Sequence, residues 1–112
     1  MKIAIPMTAG CLSAHFGHCE EFAIVEVDDA KKEIIGKTMH PAPPHEPGFL
    51  PSWLHSLGAN MIIAGGMGQR AQLLFAQNDI AVVVGASPVA AEQLVTDYLV
   101  GNLQTGQNLC DH

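Results

Sequence analysis

The chain of 112 residues has few basic residues, few aromatic residues and no long apolar run. Five Lys and Arg stand against eleven Asp and Glu, which gives a formal net charge of −6 with His neutral. Nucleic acids and anionic membranes are bound through clustered Lys and Arg, so neither is an expected partner. No segment approaches the roughly 18 consecutive apolar residues of a membrane-spanning helix. We therefore expect a soluble protein.

Common catalytic motifs are absent as well. The sequence contains neither the G-x-S-x-G pattern of α/β-hydrolases nor the H-E-x-x-H pattern of zinc proteases. Asp28 and Asp29 are adjacent in a predicted turn, and a role in that turn explains both. A nucleophilic Cys19 with a nearby histidine is one alternative, although no third group that would orient the histidine is evident. We expect a protein that is not an enzyme.

The three cysteines are an odd number, so at least one thiol stays outside any intramolecular disulfide. The start of the chain faintly resembles a lipoprotein signal, because Lys2 precedes a short apolar run and Cys11 follows small residues. Pro6 breaks that run, and Thr8 stands where a large aliphatic residue is usual. These features favour a cytoplasmic protein with free thiols.

The remaining composition is that of one folded domain. Hydrophobic residues make up 48% of the chain and charged residues 14%, which is typical of a globular protein and not of a disordered one. The length leaves no room for a second independent core. We expect a single domain over residues 1–102, followed by a polar tail over 103–112.

Hydrophobic periodicity and turn residues predict an alternation of strands and helices. Prolines in 40–51 argue against regular structure there and predict a rigid exposed loop that carries His40 and His45. Ser87 is a plausible N-cap, with Pro88 at the first position of the last helix. The predicted strands are 2–6, 22–27, 33–39, 61–64 and 80–84, and the predicted helices are 51–58, 69–77 and 88–100.

This order predicts a three-layer α/β/α domain with a five-stranded mixed sheet. If the hairpin strands lie on one side of the first strand and the crossover strands on the other, the second strand is antiparallel to the other four. The loops at 7–20, 40–50, 65–68 and 85–88 then open on one edge. Ligands of open α/β sheets bind at that edge.

The first of these loops is a candidate metal site. Its thiols and imidazoles are ligands that favour a soft transition metal over magnesium or calcium. The alternative is that the two cysteines are small buried residues. His45 lies between prolines that would hold it rigid, and Cys110 and His112 either fold back on the site or fray. We expect no metal role for His40 or His55. The candidate ligands are Cys11, His15, His18, Cys19, His45, Cys110 and His112.

A glycine-rich turn is the candidate anion site. It joins a predicted strand to a predicted helix, so its backbone N–H groups can point outward at the positive end of the helix dipole. The alternative is that the glycines let the helix pack close to the sheet. Sulfide-bridged metal clusters are anionic and soft, and a pocket of N–H groups, imidazoles and methionine could hold one. The turn comprises Gly65, Gly66, Met67 and Gly68, with Arg70 in the helix that follows.

Taken together, these segments resemble the dinitrogenase iron–molybdenum cofactor biosynthesis family, and the match spans nearly the whole chain. The residues that carry the resemblance are Ser13-Ala14-His15-Phe16-Gly17, Glu21-Phe22, 65–71, 80–85 and Gly101. Further residues resemble a branch of small stand-alone members often associated with iron–sulfur-type assembly ATPases. They are His45-Glu46-Pro47-Gly48, Pro51-Ser52-Trp53-Leu54 and the closing Asn108-Leu109-Cys110-Asp111-His112.

The resemblance implies a ribonuclease-H-like fold without nuclease activity and a protein that binds a metal–sulfur cluster. One subgroup of similar size, the orange proteins, carries a molybdenum–copper sulfide cluster, while others carry iron–molybdenum or iron–sulfur types. By position, His15 is the residue most expected to touch a cluster. The resemblance adds Ser13, Phe16 and Gly17 to the expected cluster-binding set, and it does not choose the metal.

The sequence therefore predicts a cytoplasmic, non-catalytic carrier of a metal–sulfur cluster, with an iron–sulfur-type assembly ATPase as the implied partner. The alternative is a regulatory module that binds zinc or a small molecule and docks on such an ATPase.

Overall fold

The computed structural model describes residues 1–13, 19–43, 48–101 and 103, and it confirms the predicted mixed α/β class. Helices and strands alternate in the second half, as the periodicity predicts. No helix within these residues is long and apolar enough to cross a membrane. The elements are β1 (Lys2–Thr8), β2 (Cys11–Leu12), β3 (Glu21–Asp28), β4 (Glu33–Pro41), α1 (Phe49–Ser56), β5 (Met61–Ile63), α2 (Gln69–Gln77), β6 (Ala81–Val83) and α3 (Ala91–Leu99).

The sheet is built outward from β1. Its order is β4-β3-β1-β5-β6, and β2 pairs with the end of β1. β3 is antiparallel to both of its neighbours, whereas β1, β5 and β6 are parallel to one another. The predicted placement of the hairpin and the crossover strands on opposite sides of β1 is therefore confirmed. The predicted count of five strands is wrong, because β2 is a sixth.

Alternation along the strands divides the core into two clusters. On β1, Ile3, Ile5 and Met7 belong to the cluster that α3 covers, whereas Ala4 belongs to the cluster of α1 and α2. Ile62 of β5 likewise joins the cluster of α1 and α2. β1 and β5 thus supply apolar side chains to both faces, which explains the run of apolar residues from Ile3 to Met7 and from Met61 to Ile63.

The prolines of 40–51 break regular structure less than predicted. β4 continues through His40 to Pro41, because Pro41 ends an edge strand, where a missing N–H removes no necessary ladder bond. α1 begins at Phe49, and Pro51 lies in its first turn, where backbone N–H groups have no helical partner. His40 is consequently a half-buried strand residue, and its ring meets the edge of Trp53 at 6.3 Å between centroids.

α3 also begins later than the sequence predicts. The helix begins at Ala91, its N-cap is Ala90, and neither Ser87 nor Pro88 takes the predicted role. The carbonyl of Val89 accepts a hydrogen bond of 2.9 Å from the N–H of Leu12. Pairing with the end of β2 holds Val89 outside the helix.

A tight turn between β1 and β2 replaces the start of the predicted loop over 7–20. Thr8 pairs with Cys11, and the two residues between them have positive φ, 54° at Ala9 and 82° at Gly10. Positive φ at both central residues is the geometry of a type I′ hairpin turn. The N–H of Ala9 donates a 2.9 Å hydrogen bond to Oε1 of Glu20, which helps to hold an alanine in this unfavourable conformation.

We expect Ala9→Asn to stabilise the protein, because asparagine tolerates positive φ better than alanine. The free energy of unfolding in urea should rise by about 0.5 kcal/mol, while the backbone bond to Glu20 is retained. Gly10→Ala is the matched control and should lower that free energy, although a methyl group there meets no described atom within 4 Å. A destabilised Ala9→Asn variant would contradict this account of the turn.

Candidate functional site

The first loop and the glycine-rich turn begin at the carboxyl ends of adjacent parallel strands. β1 pairs directly with β5, through Ile3 with Met61 and Ala4 with Ile62. β1 leads into the hairpin turn and β2, and β5 leads into the glycine-rich turn at Gly65. In open α/β sheets this edge is where ligands bind.

Backbone hydrogen bonds fasten the first loop to β1 at both of its ends. The N–H of Ser13 donates to the carbonyl of Pro6 at 2.8 Å. The N–H of Glu20 donates to the carbonyl of Met7 at 2.9 Å. The chain on either side of 14–18 is therefore hydrogen-bonded to residues near the carboxyl end of β1.

Strand register shows which face of the sheet these residues occupy. Met7 pairs with Leu12, and both belong to the core cluster under α3. The next pair, Thr8 and Cys11, must therefore face the opposite side, which α1 and α2 cover. Cys19 packs against the cluster on that second side. Cys11 and Cys19 thus lie on the same side of the sheet.

The glycine-rich turn faces that side too. Met67 is 1% exposed and belongs to the α1 and α2 cluster, and its carbonyl accepts a 2.9 Å hydrogen bond from Nε2 of Gln72. Gly65 accepts a 3.1 Å bond from the N–H of Gly85, which ties the turn to the segment after β6. The turn is held firmly on its inner side.

The N-terminus of α2 has no side-chain cap among the described residues. Its N-cap is Gly68, and the first helical hydrogen bond runs from the N–H of Gln72 to the carbonyl of Gly68 at 3.1 Å. The N–H groups of the first turn therefore keep their positive partial charges without a capping oxygen. Arg70 is exposed in this turn and adds a full positive charge.

Neither packing nor backbone conformation requires glycine at position 68. Its φ of −68° suits any residue. A Cβ at Gly68 would meet no atom within 4 Å in the described parts of the chain. The alternative that the turn's glycines serve close packing is therefore unsupported at Gly68, where the absent side chain leaves the helix N-terminus open.

Burial makes Cys19 a poor nucleophile. It raises the pKa of the Cys19 thiol from 9.0 to about 11, although a hydrogen bond from its own backbone N–H opposes this effect. The thiol is therefore protonated at neutral pH, which favours the interpretation of Cys19 as a small packed residue and disfavours a cysteine-dependent enzyme. Cys11, in contrast, is exposed.

Sequence reasoning missed Thr8. Its Oγ1 is buried yet has no hydrogen-bond partner within the described residues. A buried hydroxyl without a partner costs about 1–3 kcal/mol, so such groups are uncommon. If the predicted strand over 2–6 is extended by two residues, its alternation places Thr8 on the same face as Ala4. The burial of Thr8, however, depends on tertiary packing.

The predicted site residues that the structure describes lie in two places. Three of them, Cys11, Ser13 and Cys19, lie at the first loop, and five, Gly65, Gly66, Met67, Gly68 and Arg70, lie at the glycine-rich turn and the start of α2. Their roles stay predictions. Within the described parts, no three or more His, Cys, Asp or Glu side chains converge as a metal site. His55 is exposed on α1. Outside the described residues lie His15, Phe16, Gly17, His18, His45, Cys110 and His112.

We expect native Cys19 to react slowly with iodoacetamide. Its pKa of about 11, against the ordinary 9.0, lowers the thiolate fraction at pH 7 about 100-fold. Peptide mapping by mass spectrometry should show Cys11 modified first and Cys19 modified readily after unfolding in guanidinium chloride. Equal rates for the two thiols in the native protein would restore the cysteine-dependent enzyme as a candidate.

Comparison with known proteins agrees with this architecture. An uncharacterised protein of Methanocaldococcus jannaschii is 34% identical over 107 residues, which cover 93% of this chain and 90% of that protein. The crystal structure of the protein PH0822 has a TM-score of 0.88 at 25% identity and covers 97% of both chains. The apo orange protein of Desulfovibrio gigas shares the fold, with a TM-score of 0.72 at 20% identity and coverage of 96% and 93%.

The family model described as dinitrogenase iron-molybdenum cofactor matches residues 1–101, nearly the whole described chain. The resemblance predicted from the sequence motifs is thereby confirmed, and the chain belongs to the dinitrogenase iron-molybdenum cofactor family.

Proposed function

We propose that the protein is a non-catalytic carrier of a metal–sulfur cluster. Membership of a family described by the iron-molybdenum cofactor supports a cluster-related role. The observation that carries the proposal is the open, uncapped N-terminus of α2 at Gly68, on the strand edge it shares with the first loop. No atom of the described residues lies within 4 Å of the place where a Cβ of residue 68 would stand, so none of them blocks an anion there.

Electrostatics favours an anionic cargo at this position despite the net charge of −6. A helix N-terminus carries about half a positive charge. Arg70 lies in the same turn and is exposed, while Met67 directly precedes the N-cap and is buried in the cluster of α1 and α2. A sulfide-bridged cluster is large, polarisable and negatively charged, so it can use several weak N–H donors at once.

The proposed cluster-binding residues lie in the first loop, in the glycine-rich turn and at the start of α2. They are Ser13, His15, Phe16, Gly17, Gly65, Gly66, Met67, Gly68 and Arg70. Among the candidate metal ligands Cys11, His15, His18, Cys19, His45, Cys110 and His112, the exposed Cys11 is favoured over Cys19, since a thiol must lose its proton to ligate. The cargo is of the molybdenum–copper sulfide type or of an iron–molybdenum or iron–sulfur type.

We further propose, from the family, a ribonuclease-H-like arrangement of the layers and a single domain over 1–102. We also propose a cytoplasmic location and delivery of the cluster to or from an iron–sulfur-type assembly ATPase. Zinc without sulfide in protein purified from its native host would instead favour a regulatory module that docks on such an ATPase.

Reconstitution tests the carrier function. The purified protein is incubated with tetrathiomolybdate and Cu(I), and separately with iron and sulfide, and is then passed through a desalting column. We expect a visible charge-transfer band and stoichiometric metal and sulfide to remain with the protein in at least one case. Protein that emerges colourless and free of metal in both cases would overturn the proposal.

The same assay tests the place of His15. We expect His15→Ala to lose most of the retained metal, because its position in the family motif makes it the residue most expected to touch the cargo. His55→Ala is the matched control, since His55 is exposed on α1, and it should retain cargo as the unaltered protein does. Equal retention by the two variants would show that the site is misplaced.

Gly68→Ser, at the N-cap of α2, should change protein stability and cargo binding in opposite directions. We expect Gly68→Ser to raise the free energy of unfolding by a few tenths of a kcal/mol, because the hydroxyl caps the N–H groups of the first turn. The same hydroxyl competes with the cargo for those groups, so retention should fall roughly fivefold.

Ala90→Ser is the matched control for this change. Ala90 is the N-cap of α3, and it also lacks a side-chain capping bond. We expect this variant to gain about 1 kcal/mol of stability with unchanged retention. Unchanged retention in Gly68→Ser would remove the N-terminus of α2 from the proposed site.

A further inference from the structure

The last residue of β1 presents a buried hydroxyl beside an exposed thiol. Thr8 pairs with Cys11 across the hairpin, so their side chains stand on the same face with Cβ atoms about 5 Å apart. Oγ1 of Thr8 is buried and has no hydrogen-bond partner within the described residues, whereas Cys11 is exposed. Protein atoms cover Oγ1, so a group bound at the thiol would have to displace that cover to reach the hydroxyl.

We propose that Thr8 is a positioning residue for the cargo, and that its hydroxyl donates a hydrogen bond to a sulfide of a cluster ligated by Cys11. This inference rests on the proposed carrier function and adds a specific donor to it. On coordinating the metal, the thiol of Cys11 releases its proton to water, and the thiolate supplies the electron pair of the new bond. The Thr8 hydroxyl keeps its own proton and shares it with sulfur.

Strand propensity alone does not explain threonine at this position. Valine has the same branched shape and a similar preference for strands, and the chain uses it at Val25 and Val27 of β3. Valine at position 8 would also avoid the penalty of a buried hydroxyl without a partner. The described contacts therefore give no structural reason for the hydroxyl.

The place of Thr8 in the fold suits a donor to an anion. Its strand is central and its hairpin is tied down by the bond from Leu12 to Val89, so the hydroxyl sits on a rigid element. Its side of the sheet is the side of Met67 and of the glycine-rich turn. Donors on two adjacent strand ends would then grip one cargo from two directions.

Thr8→Val and Thr8→Ser are the decisive variants. We expect Thr8→Val to unfold at the same or a higher temperature without cargo, because it removes the unpaired hydroxyl. In the tetrathiomolybdate and Cu(I) assay it should retain about tenfold less metal and show a shifted charge-transfer band. Thr8→Ser keeps the hydroxyl and should retain metal within about twofold of the unaltered protein.

The outcomes distinguish a failure of the proposed role of Thr8 from a failure of the proposed carrier function. Thr8→Val protein that retains metal as the unaltered protein does would overturn the role of Thr8 and leave the carrier function standing. A large loss of stability in cargo-free Thr8→Val would also overturn it, because the hydroxyl would then have a structural partner. Unaltered protein that retains no cargo would overturn both.

Discussion

The pairing of β1 on both of its edges is the constraint on which the rest of the structure depends. Its antiparallel partner β3 brings the hairpin to one side, and its parallel partner β5 brings the crossover units to the other. Because β1 also sends side chains into both core clusters, its position is over-determined. Whatever follows its carboxyl end is therefore held next to whatever follows β5.

Much of the fold could be predicted because local signals agreed with tertiary packing. The helix over 69–77 was predicted with its observed bounds, and the hairpin turn at Asp28 forms as expected, with Oδ1 accepting bonds from the N–H groups of Ala30 and Lys31. Predictions failed where local signals conflicted with position in the sheet. Pro41 is tolerated because β4 is an edge strand, which the sequence alone does not reveal.

The candidate site was less predictable than the fold because its properties depend on burial. The glycine-rich turn could be located from residue types, since Gly, Met and Arg follow an apolar strand. β2 escaped notice because Ala9-Gly10 is a weak signal for a type I′ turn, which asparagine usually introduces. The raised pKa of Cys19 and the Thr8 hydroxyl without a partner among the described residues are both consequences of burial, so no spacing rule would reveal them.

Under the proposed carrier function, an acidic chain must select an anionic cargo at contact. A net charge of −6 repels an anionic cluster at long range, but salt screens that repulsion beyond about 8 Å. Within contact distance, fixed N–H dipoles dominate, and they act without a side chain that must be ordered on binding. A site of this kind exerts little long-range attraction on anions in solution. It binds an anion only when several acceptor atoms of that anion match the N–H donors of the site.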